Sequence, residues 1–179
     1  MLKTALIVIA VAIVALLAYA ATRPDSFRLE RQTTIKAPPE KIYANLVDFN
    51  KWGAWSPWEK LDPQMKRTHS GAASGKGASY AWESGKVGAG RMEILEATPP
   101  IGVNSSSVKI KLDFTKPFEA HNLVDFTLVP QGDSTQVTWA MYGPMAFINK
   151  LFGVFMSMDK MVGKDFEAGL ADLKAVSEK

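Results

Sequence analysis

Trp52, Trp55 and Trp58 recur at every third residue, a spacing that aligns side chains in a tight helical turn. The chemistry of such a row is apolar: an aromatic lip or wall for a hydrophobic molecule, or a lid packed into a core. Aromatic side chains carry much of the burial energy of a small domain, so core packing is the weightier reading, and one ring can serve both ends. Tyr80 and Trp82 alternate on one face of a predicted strand, as do Trp139 and Met141 on another. Phe155, Met158 and Val162 are expected opposite them on a long helix. These rings and thioethers suit a permissive apolar pocket, though methionine also fills irregular cores.

Acid–base and metal chemistry find little to work with. His69 and His121 have no partner at zinc-ligand spacing, and a strand-edge or surface histidine is the plainer reading. Gly71, Gly75 and Gly77 surround Lys76, but Lys76 is followed by Gly77 rather than Ser or Thr, and no predicted helix follows. No nucleophile elbow is present. The sequence therefore names no catalytic residue, no metal ligand and no cofactor. If a reaction occurs, the polar side chains to consider are His69, Tyr80, Asp125 and Tyr142. The absence of cysteine excludes disulfides, thiolate metal sites and a cysteine nucleophile.

The elements that must position these residues are strands and one long helix. Between Pro144 and about Val176, the residues Phe155, Met158, Val162, Phe166, Gly169, Leu173 and Val176 step by three and four, drawing one apolar stripe. Lys160, Lys164, Asp165, Glu167, Asp172 and Lys174 fall on the other side, and Pro144 suits a first helical turn. Strands are expected over 27–36, 65–70, 79–83, 91–98, 107–114, 122–129 and 135–142. Pro38-Pro39-Glu40 opens a short helix bearing Ile42, Tyr43, Leu46 and Val47. Short turns between strands favour antiparallel pairing. The fold class is α+β, a curved antiparallel sheet of about seven strands wrapped on a long C-terminal helix.

Residues 5–21 hold no charged or strongly polar side chain. At ~1.5 Å per residue they span roughly 25 Å, the short end of a membrane helix. Ala18-Tyr19-Ala20 also fits a signal-peptidase pattern. The length of the run favours a retained transmembrane anchor with a short linker over residues 1–24, followed by a ligand-binding domain over 25–179. Arg23, Arg28, Arg31 and Lys36 lean the domain toward the cytoplasmic side, with too few charges to fix the side. A net charge of +3 and a pI near 9.0, without basic blocks interleaved with aromatics, give nucleic-acid binding no support.

From Phe27 to Val176 the chain resembles the START/Bet v 1-like superfamily, in its bacterial polyketide cyclase/dehydrase and lipid-transport branch. The resemblance rests on Ala37-Pro38-Pro39-Glu40-Lys41-Ile42-Tyr43, on the Trp-rich stretch Phe49 to Trp58, on Gly77-Ala78-Ser79-Tyr80-Ala81-Trp82 and on Met158-Asp159-Lys160-Met161. It implies a helix-grip fold around a hydrophobic tunnel, with a lipid or another apolar or amphipathic small molecule as partner. Trp55, Trp58, Tyr80, Trp82, Trp139, Met141, Phe155, Met158 and Val162 are the expected ligand-binding residues. The alternatives are a cyclase or dehydratase on a polyketide-like substrate, or an interaction module without ligand. With its anchor, such a chain is a single-pass protein of the bacterial inner membrane. Neither a protein partner nor an oligomeric state is legible.

Overall fold

A computed structural model describes residues 1–154 and 158–179. Helix α1 (Leu2–Ala21) is followed by β1 (Ser26–Ile35), α2 (Pro39–Leu46), a 3-10 segment (Phe49–Ala54) and α3 (Pro57–Leu61). Six strands follow: β2 (Lys66–Gly71), β3 (Ala78–Ser84), β4 (Gly88–Thr98), β5 (Ser106–Lys116), β6 (Ala120–Gln131) and β7 (Ser134–Pro144). Helices α4 (Phe147–Gly153) and α5 (Met158–Ser177) close the chain. Among the described residues the strands form one seven-stranded antiparallel sheet in the order β1-β7-β6-β5-β4-β3-β2. The expected strands are all present, most of them longer by one to three residues at an end.

Strand alternation sorts side chains strictly between the two faces. On β6, Asn122, Val124, Phe126 and Leu128 point inward and are buried, while the intervening residues are only half-buried or exposed. The register then builds rows across the concave face. One row runs through Trp139, Phe126 and Val108, and the next through Leu29, Met141, Val124, Ile110 and Ile94. A third runs through Phe27, Gly143, Asn122, Leu112, Met92 and Tyr80.

Helix α5 lies against β1, α2 and α3. The stripe is borne out by Phe166, Gly169 and Leu173, with Gly163 and Leu170 buried beside them. Gly169 admits the sheet: a Cβ there would lie 2.7 Å from the Trp139 ring and 3.0 Å from Pro57. Gly163 similarly leaves room for Arg31. That guanidinium donates to Glu167 at 2.8 Å and to Asp159 at 2.5 Å, tying β1 to two turns of α5. Both carboxylates raise the Arg31 pKa, the Glu167 hydrogen bond most.

Three expectations need correction. Pro144 ends β7 opposite Ser26 rather than opening a helix, and at the strand's end its missing N–H interrupts no continuing ladder. The expected single helix is α4 followed by α5, and Phe155 lies outside the described residues. Tyr80 and Trp82 do not meet the long helix. The strand order places β3 far from β1, and Tyr80 instead faces Phe49 of the 3-10 segment, ring centroids 5.8 Å apart.

Helix α1 has 20 residues and a mean hydropathy of 2.7 over its most apolar stretch, long and apolar enough to cross a membrane; a signal sequence has the same character. Its C-terminal end packs on α4, where Ala20 is buried. The linker is tied down as well, since Asp25 pairs with the buried Lys150 of α4 and its carbonyl accepts from Met145 N–H at 2.8 Å.

Candidate ligand-binding site

The Trp-rich segment divides by role. Helix α2 ends with unpaired carbonyls, as every helix does. Trp52 Nε1 donates to Leu46 O at 3.1 Å and Trp55 Nε1 to Asn45 O at 3.2 Å, so the two indoles cap α2. Trp55 is fully buried against Phe126 and Trp139, with ring centroids 6.0 and 5.6 Å apart. Core packing therefore accounts for both residues. Trp58 is half-buried and meets Trp139 at 5.8 Å and Phe166 at 6.1 Å.

Trp139 is the centre of the grip. Its ring stacks on Phe166 of α5, centroids 4.1 Å and planes 17° apart, and on Phe126 at 5.0 Å. Sheet and helix are thus in direct contact there. The remaining expected residues lie nearer the opposite end of the sheet. Met141 sits beside Leu29 and Val124, Trp82 stacks at 6.1 Å on Tyr80 and abuts Phe114, and Met158 and Val162 are half-buried on the first turns of α5.

Burial changes steadily along that direction. Ile94, Val108, Ile110, Phe126, Leu128 and Val137 are at 0 % exposure. Toward the β5–β6 hairpin, Val124 reaches 4 %, Met141 6 %, Leu112 8 % and Met92 9 %, and beyond them Phe27, Phe114 and Trp82 are only half-buried. The inward face is solid under α2 and the 3-10 segment and loosens toward the end where β1 begins and β7 ends. Exposed apolar side chains border that end: Phe118 on the β5–β6 hairpin and Phe147, Ile148 and Phe152 on α4.

Polar side chains are arranged differently from expectation. Asp125 and Tyr142 face the outer side of the sheet, where the Tyr142 hydroxyl donates to Asp125 Oδ2 at 2.9 Å. His69 is exposed on the edge strand β2, its ring 5.1 Å from that of Tyr80, at a shallow groove of about 160 Å³. His121 is also exposed and pairs with Asp113 at 2.8 Å. Asn122, which sequence reasoning passed over, is a polar residue of β6 on the inward rows near the loosened end. Its signal was present: it occupies the apolar phase of β6.

The Tyr80 hydroxyl donates to Glu59 Oε1, while Arg67 Nε donates to Glu59 Oε2 at 2.6 Å. Arg67 is itself held by Met65 O at 2.7 Å. Burial, and then the bond to Glu59, hold the Tyr80 pKa far above its ordinary value. The unfolded chain ionises tyrosine near about pH 10 while the native state keeps this proton. Stability from this source is therefore whole below about pH 10 and is lost as pH rises further. Tyr80→Phe should lower the unfolding free energy at neutral pH by about 1–2 kcal/mol and flatten the fall above pH ~10. Urea denaturation at a series of alkaline pH values checks both.

Among the described residues no group of three His, Cys, Asp or Glu side chains is placed to hold a metal ion.

The sequence model of a family described as polyketide cyclase / dehydrase and lipid transport matches residues 26–178. No curated protein matches the chain. Among solved structures, a Chromobacterium violaceum protein shares 17% identity over 88% of this chain and 99% of its own, with a TM-score of 0.59. A hypothetical protein of Helicobacter pylori is 10% identical over 84% of this chain and 88% of its own, with a TM-score of 0.62. The protein Ara h 8.0201 is 13% identical over 84% of this chain and 99% of its own, with a TM-score of 0.52. At such identities these likenesses establish the fold.

Proposed function

The chain belongs to the polyketide cyclase / dehydrase and lipid transport family, of START/Bet v 1-like fold, and from that premise we propose that it is a membrane-tethered binding protein for a hydrophobic or amphipathic small molecule such as a lipid. The observation that carries this reading is the burial gradient on the concave face, closed at Ile110 and Phe126 and loosened at Leu112, Met92 and Met141. An apolar chain entering at that end would rest on Leu, Met, Val and Phe side chains. Each methylene hidden contributes about 0.8 kcal/mol before the costs of association.

Helix α1 at ~1.5 Å per residue is about 30 Å long, the thickness of a bilayer's hydrocarbon core. It packs on α4, which borders the loosened end, and Phe118, Phe147, Ile148 and Phe152 surround that end with exposed apolar surface. A bilayer-spanning α1 would therefore hold the mouth at the membrane and raise the effective concentration of a lipid-borne ligand. A cyclase or dehydratase reading has less beneath it. Asp125 and Tyr142 face away from the concave side, and the Tyr80 hydroxyl is committed to Glu59.

The test is organic extraction and mass spectrometry of the full chain purified in phosphatidylcholine nanodiscs, alongside its intact mass. The reading expects a retained apolar molecule that exchanges with added lipid, on a chain still carrying residues 1–21. No retained or exchangeable ligand would contradict the binding function. A mass ending the leader at Ala20 would contradict the tether and leave binding standing.

A further inference from the structure

We propose that the side-chain amide of Asn122 anchors the ligand by an uncharged hydroxyl or carbonyl head, so that the site takes neutral amphipathic molecules in preference to bare hydrocarbons or carboxylates. This rests on the reading that the loosened end holds an apolar chain. Asn122 shares the inward phase of β6 with Val124, Phe126 and Leu128, and is 7 % exposed. Its amide offers two donors and an acceptor oxygen. Among the described residues, none of these takes part in a side-chain hydrogen bond. The amide keeps slight access to solvent, so a bound polar atom would take the place of water there.

The surroundings define what that atom can be. Asn122 lies opposite Leu112 on β5 and next to Gly143 on β7, with Met92 and Phe27 farther along the same row. A Cβ at position 143 would collide with Asn122 Oδ1 and lie 2.9 Å from His121 O, so glycine there leaves the space that the amide occupies. From Phe27 to Tyr80 no lysine or arginine stands in this row to neutralise a carboxylate. Arg31, the inward-facing cation of β1, is engaged by Asp159 and Glu167. The fully buried polar atoms without partners among the described residues are Trp139 Nε1 and Ser106 Oγ, in the closed part of the sheet, and Asp125 Oδ1 on an outward-phase residue. None of these lies where the face loosens; Asn122 does, with its amide still in reach of solvent.

Brominated alkyl probes test the assignment, because bromine quenches tryptophan on contact. All five tryptophans lie between residues 52 and 139, and none is in α1. Quenching in nanodiscs therefore reports entry into the grip. Bromododecane, ω-bromododecanol and ω-bromododecanoate are titrated as mole fractions of the bilayer against the full chain. The wild type should prefer the alcohol to the alkane by about tenfold, the equivalent of one net hydrogen bond. The carboxylate should gain no such preference. In Asn122→Leu the alcohol-to-alkane ratio should fall to about one, and Gly143→Ala, which displaces the amide without removing it, should reduce the ratio too. An alcohol preference that survives both substitutions, or a wild type without preference, would overturn the assignment while leaving chain binding intact. Absence of quenching by every probe would overturn both.

Discussion

Replacing Trp139 with alanine is expected to lower the unfolding free energy by about 3–5 kcal/mol, the range for truncating a large buried aromatic. The ring is 2 % exposed and contacts Phe126, Phe166, Trp55 and Trp58, so four aromatic neighbours lose a partner together. Each stacked or edge-on pair is worth about 0.5–1.5 kcal/mol beyond area burial. Relaxation cannot readily fill the gap, because Phe126 is fixed in a central strand and Phe166 in a helix tied to β1 through Arg31. Urea denaturation followed by far-UV circular dichroism measures the change. A loss under 1 kcal/mol would mean that sheet and helix do not meet at this ring.

The second large effect is a contrast between neighbours on one strand. Ile110 and Leu112 both point inward from β5, two residues apart, but Ile110 is sealed while Leu112 retains some exposure. Enlarging a side chain in a filled core costs about 1–3 kcal/mol, through displaced rotamers and backbone. Ile110→Phe should show that cost in denaturation and leave the region around Leu112 untouched. Leu112→Phe should cost less than about 1 kcal/mol, because the added ring has room, and should weaken bromododecane quenching more than about tenfold by filling that room. Equal destabilisation by both would mean that the interior is filled throughout.

The sheet was legible because its strands carry strict alternation, as at Val108, Ile110, Leu112 and Phe114, broken by Gly and Pro turns. Helix α5 was legible by its three-and-four stripe. The break after Gly153 was not, because Phe147, Ile148, Leu151 and Phe152 continue an apolar helical pattern while packing in a different helix, α4. The exposure of Phe147, Ile148 and Phe152 beside α1 depends on tertiary placement, which periodicity does not encode. The candidate site was only partly readable for a related reason. Aromatic residue types mark burial and ligand contact equally, and only the indole bonds to Leu46 O and Asn45 O assign Trp52 and Trp55 to the core. Asp125 and Tyr142 attracted attention as polar groups, although their strand phase places them outside. Asn122 shows the converse, a polar residue whose phase placed it inside.

Intermolecular nuclear Overhauser effects offer the most direct measurement of where a ligand sits. The full chain, methyl-labelled at Ile, Leu, Val and Met in nanodiscs of deuterated lipid, would be mixed with protonated dodecanol. A bound chain at the loosened end predicts contacts to the methyls of Met92, Leu112, Val124 and Met141, and none to Ile94, Leu128 or Val137. Contacts confined to α1 and α4, with the concave face silent, would contradict the account.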